Sequence, residues 1–155
     1  MRYRFISFLA CCFTLTVLTG CGHAPVVESM PALGNRAADH AFAMVGKPYR
    51  YGGNTPNGFD CSGLVQYSYG RVGVKLPHGT QRLLQMSRTV SRNDLRRGDL
   101  VFFTQDGKKS SHVALYLGDG RFVHSPSSGK NVYVAGLNEP YWRRHFTEAR
   151  RLKID

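Results

Sequence analysis

The chain has 155 residues, 42% of them hydrophobic, with 21 Lys and Arg against 10 Asp and Glu, a formal charge of +11. That length suits one domain with a modest core. The basic excess points to an anionic partner, but no nucleic-acid motif, zinc spacing or phosphate loop accompanies it. Anionic cell wall or lipid headgroups therefore fit better than nucleic acid, and no metal or cofactor is expected.

Residues 1–20 read as an export signal. Arg2 and Arg4 precede an uncharged stretch from Phe5 to Leu18, which is short for a membrane span. The stretch ends at Leu18-Thr19-Gly20-Cys21, which looks like a bacterial lipobox. Cleavage there would leave Cys21 as a lipid-modified N-terminus. An ordinary secretory signal or an uncleaved anchor is the plainer alternative. Gly22 at the next position favours the outer membrane, by analogy with enterobacterial lipoprotein sorting. The mature charge is then about +9, because Arg2 and Arg4 leave. Residues 21–34 hold Pro25 and Pro31 without periodicity and read as a lipidated tether. Residues 35–155 form the domain.

Asn35 to Val45 is expected to be a helix capped by Asn35, with Ala38, Phe42 and Val45 on one face. Gly46-Lys47-Pro48 ends it. A second helix runs from Cys61 to about Gly70 with Asp60 as its cap and Leu64, Val65 and Tyr69 facing the core. Gln81 to Met86 is a short third helix, and residues 93–99 form a polar turn. From Leu100 the period shortens to two. Strands are expected at 100–103, 112–117, 121–125 and 132–134. The stretch Tyr141 to Leu152 reads as a helix turn or an edge segment. Helices first and strands second argue for an α+β fold.

Cys11 and Cys12 leave with the signal and Cys21 would carry lipid, so Cys61 is the remaining thiol of the mature domain. Export places it where disulfides form, yet it has no partner. It lies in the first turn of the second helix, where free N–H groups and the helix dipole favour a thiolate. Two histidines follow, His112 and His124. A thiol at a helix start with histidines downstream is the pattern of a cysteine nucleophile and its base. The hairpin Gly118-Asp119-Gly120 decides whether the histidines meet. A two-residue loop pairs 115 with 124 and puts them on opposite faces. A three-residue loop with Gly120 left-handed as a bulge pairs 114 with 124 and puts them on one face. The three-residue loop is expected.

Five segments in order carry a resemblance. They are Pro48-Tyr49-Arg50-Tyr51-Gly52-Gly53, Asp60-Cys61-Ser62-Gly63, residues 95–103 (LRRGDLVFF), residues 112–118 (HVALYLG) and Phe122-Val123-His124-Ser125. Together they resemble the NlpC-type cell-wall cysteine peptidases, a papain-like group, from about Ala37 to Leu152. The tail from Asn138 resembles a short lipoprotein branch of that family. The resemblance implies N-terminal helices packed on a C-terminal antiparallel sheet. It implies Cys61 as nucleophile, His112 as general base and His124 as the residue that orients the base. It also implies Tyr49, with the backbone N–H of Cys61 or Ser62, as oxyanion donors. The implied reaction is amide hydrolysis in peptidoglycan, in the stem peptides or at their cross-links. The implied location is the cell envelope, the outer membrane face of the periplasm. His112 is expected to take the thiol proton or to stand with Cys61 as a thiolate–imidazolium pair, with the Asp60 side chain turned back onto backbone or acting as a cap. Tyr51 is expected to pack, and His78 to lie on the surface, in a loop that could line the cleft. Asp99 is expected to fix its turn. An amidase or acyltransferase of this fold, or a non-catalytic wall-binding lipoprotein, are the alternatives.

Overall fold

The computed structural model describes residues 29–105, 107–126 and 129–153. The signal, Cys21 and most of the tether lie outside the described residues. In chain order the elements are α1 (Met30–Phe42), β1 (Asn54–Thr55), β2 (Gly58–Phe59), α2 (Cys61–Gly70), α3 (Thr80–Gln85), β3 (Ser87–Val90), a 3-10 turn (Arg92–Asp94), β4 (Leu100–Gln105), β5 (Lys108–Gly118), β6 (Arg121–His124), β7 (Tyr133–Gly136), α4 (Pro140–His145) and β8 (Phe146–Leu152). No described helix is long and apolar enough to cross a membrane.

The helix α1 begins at Met30, with Ser29 as its cap and a proline in the first turn. Proline suits that position because its missing N–H would have had no helical partner. Residues 30–34, read as tether, are therefore helical, and Asn35 lies inside the helix. Ala37, Ala38 and Ala41 are buried, whereas Phe42 and Val45 are exposed. The apolar face thus runs through the alanines, which let α1 approach α2 closely, and the two larger side chains fall off it.

Six strands form one antiparallel sheet in the order β3-β8-β4-β5-β6-β7. Alternation sends Leu100, Phe102, Val113, Leu115 and Val123 to the face covered by α1 and α2. Val101, Phe103, Ala114 and Phe122 go to the other face, where Trp142 of α4 covers them. The expected α+β arrangement is present. Two features differ from the sequence reading. β3 precedes the main strand run, and β8 is interior, paired with both β3 and β4. The polar look of β8 (FTEARRL) hides this, because its arginines reach the rim while Ala149 and Leu152 are buried.

The β5–β6 register pairs Leu115 with Val123, so residues 114 and 124 come opposite, as expected. The device differs. Gly118 pairs with Arg121 across a two-residue turn at Asp119-Gly120, both with positive φ, and the extra residue sits between Tyr116 and Gly118. The bulge is thus on β5, not at Gly120. It has the same consequence, since one extra residue on either strand flips the faces.

Candidate active site

Cys61 opens α2, and Asp60 caps it. The Asp60 backbone is extended, and its carboxylate accepts from Gly63 N at 2.7 Å and from Gly52 N at 3.1 Å. The side chain is thus turned onto backbone, as expected. The first turn of α2 lies hard against the segment before β1. A Cβ on Gly63 would overlap the Gly53 carbonyl oxygen, so only glycine lets Cys61 sit this close to residues 52–54.

The strand β6 ends at His124, opposite residue 114. Past that point one side of β5 is open, and the Val113 N–H bears on the Cys61 sulfur. Burial pushes the Cys61 thiol up to about 11, and the Asp60 charge adds to this. The N–H groups of Val113, Ser62 and Cys61 itself pull it back down. Burial alone lowers His112 to about 4. Both groups are thus driven toward their neutral forms. The ion pair expected from the helix dipole is not what this environment favours, because loss of water outweighs the N–H groups.

His112 and His124 are fully enclosed, and His112 Nε2 lies 2.8 Å from His124 Nδ1. Trp142 lies 5.9 Å from His112, nearly parallel to it, and meets His124 edge-on at 4.7 Å. Tyr133 lies 4.3 Å from His124. His124 Nε2 is buried without a hydrogen-bond partner among the described residues. Burial first, then the charges of His112 and Lys130, lowers His124 to about 2. Trp142 was not singled out from sequence. The signal was a lone tryptophan in an aromatic tail, without any period to show which way it faces.

Tyr49, Tyr51, Asp60, Cys61, Ser62, His78 and His112 line one cleft of about 540 Å³. Burial, then the Asp60 and Cys61 charges, raises the Tyr49 phenol, which stays a donor. Ser62 is buried with its hydroxyl on Asp60 at 3.0 Å, so only its backbone N–H faces a role at the cleft. Tyr51 does not pack; it is 89% exposed at the rim. His78 is not a simple surface residue either. Its Nε2 lies 2.8 Å from the Asp60 carboxylate. The loop before α3 carries it there, a placement that sequence spacing does not encode. Asp99 does fix its turn, accepting from Arg96 N and, through a two-bond fork, from Arg151. No group of three or more His, Cys, Asp or Glu among the described residues is placed to hold a metal ion.

Residues 46–151 match the model of the NlpC/P60 family. The murein DD-endopeptidase MepS/murein LD-carboxypeptidase of Escherichia coli K12 is 41% identical over 119 residues, covering 76% of this chain and 62% of that protein. The murein DD-endopeptidase MepH of the same strain is 40% identical, covering 75% of this chain and 45% of that one. The chain thus spans about half to three fifths of the length of these relatives. Among solved structures, the NlpC/P60 domain of the peptidoglycan hydrolase SagA superposes with a TM-score of 0.65 at 31% identity, covering 78% of this chain and 98% of that one. A Staphylococcus aureus lipoprotein-like NLP/P60 protein gives 0.69 at 33%, covering 79% and 42%. With the family model spanning the cleft and both faces of the sheet, the chain belongs to the NlpC/P60 family.

Proposed function

We propose that this chain is a cysteine endopeptidase that hydrolyses amide bonds in peptidoglycan stem peptides or cross-links. The observation that carries the reading is a helix-start thiol sharing one cleft with a histidine whose Nε2 is bonded to a second, buried histidine. Relatives whose names describe murein endopeptidases support the substrate class.

Cys61 is the nucleophile and His112 its base. For His112 to accept the thiol proton, its Nδ1 must carry the lone pair. Its Nε2 then carries hydrogen and donates to His124 Nδ1, which places the His124 hydrogen on Nε2. That atom has no hydrogen-bond partner among the described residues, and its ring packs against those of Tyr133 and Trp142. An N–H is attracted to the negative face of a ring and a lone pair to its positive edge, so the way the Tyr133 and Trp142 rings meet His124 bears on which tautomer is held.

Proton transfer and attack proceed from the neutral pair as the carbonyl arrives. The oxyanion forms against the Tyr49 hydroxyl and the backbone N–H of Cys61 or Ser62. His112 returns its proton to the leaving amine, and water hydrolyses the thioester. The basic surface suits a polymer rich in carboxylates. A lipid on Cys21 would hold the enzyme at the outer membrane, facing the wall.

The test is a digest of cross-linked peptidoglycan by the wild type and by Cys61→Ala, read by mass spectrometry of the muropeptides. Loss of cross-linked dimers with the wild type alone establishes a cross-link endopeptidase. Cleavage within single stems moves the scissile bond and keeps the chemistry. Equal turnover by Cys61→Ala refutes the reading.

A further inference from the structure

At the far end of α2 from Cys61, a cavity of about 230 Å³ opens between α1, the turn before β4 and the β3–β8 edge. Arg88, Arg96, Arg97 and Arg151 converge on it, beside Tyr69 and Gly34. Two of the four guanidinium groups are committed. Arg151 forks onto Asp99, and Arg97 pairs with Asp39 and donates to Leu117 O. Arg88 and Arg96 are exposed, with no side-chain partner among the described residues. Arg88 also stands directly opposite Arg151 across the β3–β8 ladder. Like charges in that position destabilise a strand pair. Asp99, which also lines the pocket, meets the Arg151 charge, so Arg88 and Arg96 are left to meet an oxyanion, and guanidinium forks match phosphate or carboxylate oxygens.

The location selects the anion. Cys61 starts α2 and Tyr69 lies near its end, so about 12 Å of helix rise separates cleft from pocket. Pro31 of α1 lines the pocket, so the chain leading back to Cys21 enters the domain at this end. The residues between Cys21 and Met30 reach about 30 Å at full extension. With Cys21 in a membrane, a tether of that reach entering beside the pocket brings the pocket within range of the headgroups. We propose that this arginine pocket docks the phosphate of an anionic phospholipid headgroup, orienting the domain with its cleft toward the wall. The orientation rests on the lipid-anchor reading, whereas the binding chemistry does not.

The full chain, purified in neutral detergent, is titrated with phosphatidylglycerol or phosphatidylcholine in mixed micelles. Arginine Nε–H resonances report the binding. Saturable shifts at Arg88 and Arg96 are expected with phosphatidylglycerol and none with phosphatidylcholine. Binding should weaken at least tenfold in the Arg88→Gln/Arg96→Gln double variant, with Cys61 alkylation and melting temperature unchanged. An equal response to both lipids, or an unaffected double variant, overturns the proposal. Inorganic phosphate saturating the same shifts at lower concentration than the lipid overturns the headgroup as occupant. Displacement of the lipid by muropeptides does so in favour of the wall. An intact mass showing unmodified Cys21 sinks the anchor reading and leaves the micelle result to stand or fall alone.

Discussion

His112 and His124 face each other at 2.8 Å inside the sheet, held there by one extra residue in β5. Remove that bulge and the two rings point to opposite faces. The pair is therefore a product of register, and the reaction depends on it. His112→Ala should lower kcat by roughly 10²–10⁴-fold, the range for loss of a general base. His124→Asn keeps an acceptor for His112 Nε2 and should outperform His124→Ala. Steady-state hydrolysis of a defined muropeptide decides this. Equal rates for the two His124 variants would show that orientation of His112 does not matter.

The neutral state of the pair has its own signature. With Cys61 near 11 and His112 near 4, alkylation by iodoacetamide should be slow at pH 7 and rise about tenfold per pH unit toward 11. Asp60→Asn removes a charge that raises the thiol and should speed the reaction at fixed pH with little loss of capping, because asparagine caps a helix as well as aspartate does. A rate already on a plateau at pH 7 would mean that a thiolate–imidazolium pair exists in the free protein.

The buried histidines also link stability to pH. His112 has a folded value near 4 and an unfolded value of about 6.5. Between these, the unfolded chain binds the proton and the folded one does not. Stability therefore falls as pH drops from 6.5 to 4, by about 1.4 kcal/mol per unit for this group. His124, lowered to about 2, acts in the same direction over the same window. Urea midpoints measured from pH 7 to 4 should decline less steeply in His124→Asn than in the wild type.

Trp142 walls both histidines. Trp142→Ala should cost about 3–5 kcal/mol, and Trp142→Phe much less. Imidazole ¹⁵N shifts should show His124 protonated on Nε2 in the wild type and in Trp142→Phe. In Trp142→Ala the tautomers should mix and kcat fall with KM little changed. A purely structural tryptophan would leave the tautomer ratio alone.

Gly63 tests the placement of the nucleophile. Gly63→Ala forces a methyl into the Gly53 carbonyl, an overpacking worth about 1–3 kcal/mol. The first turn of α2 has to move, so activity should drop more than stability does. A Gly63→Ala variant with normal kcat would show that the 52–54 segment yields instead.

Local chemistry made much of this molecule legible in its sequence. Asp60 before Cys61 fixes the start of α2, since a carboxylate can satisfy the free N–H groups there. The shift to period two at Leu100 announced β4, β5 and β6. Cys61, His112 and His124 could be singled out because each lies on such an element. Long-range packing was not legible. The arginines of β8 disguised an interior strand, and the alanine face of α1 outranked its larger apolar residues. Nothing near His78 or Trp142 in the chain says that the first meets Asp60 or that the second walls the histidines. Sequence by itself determined which elements form and which residues could react, because caps, periods and turns are set by neighbours in the chain. Tertiary structure alone decided that desolvation pushes the thiol up and His112 down and that the two histidines meet, because desolvation and register come from residues far apart in sequence.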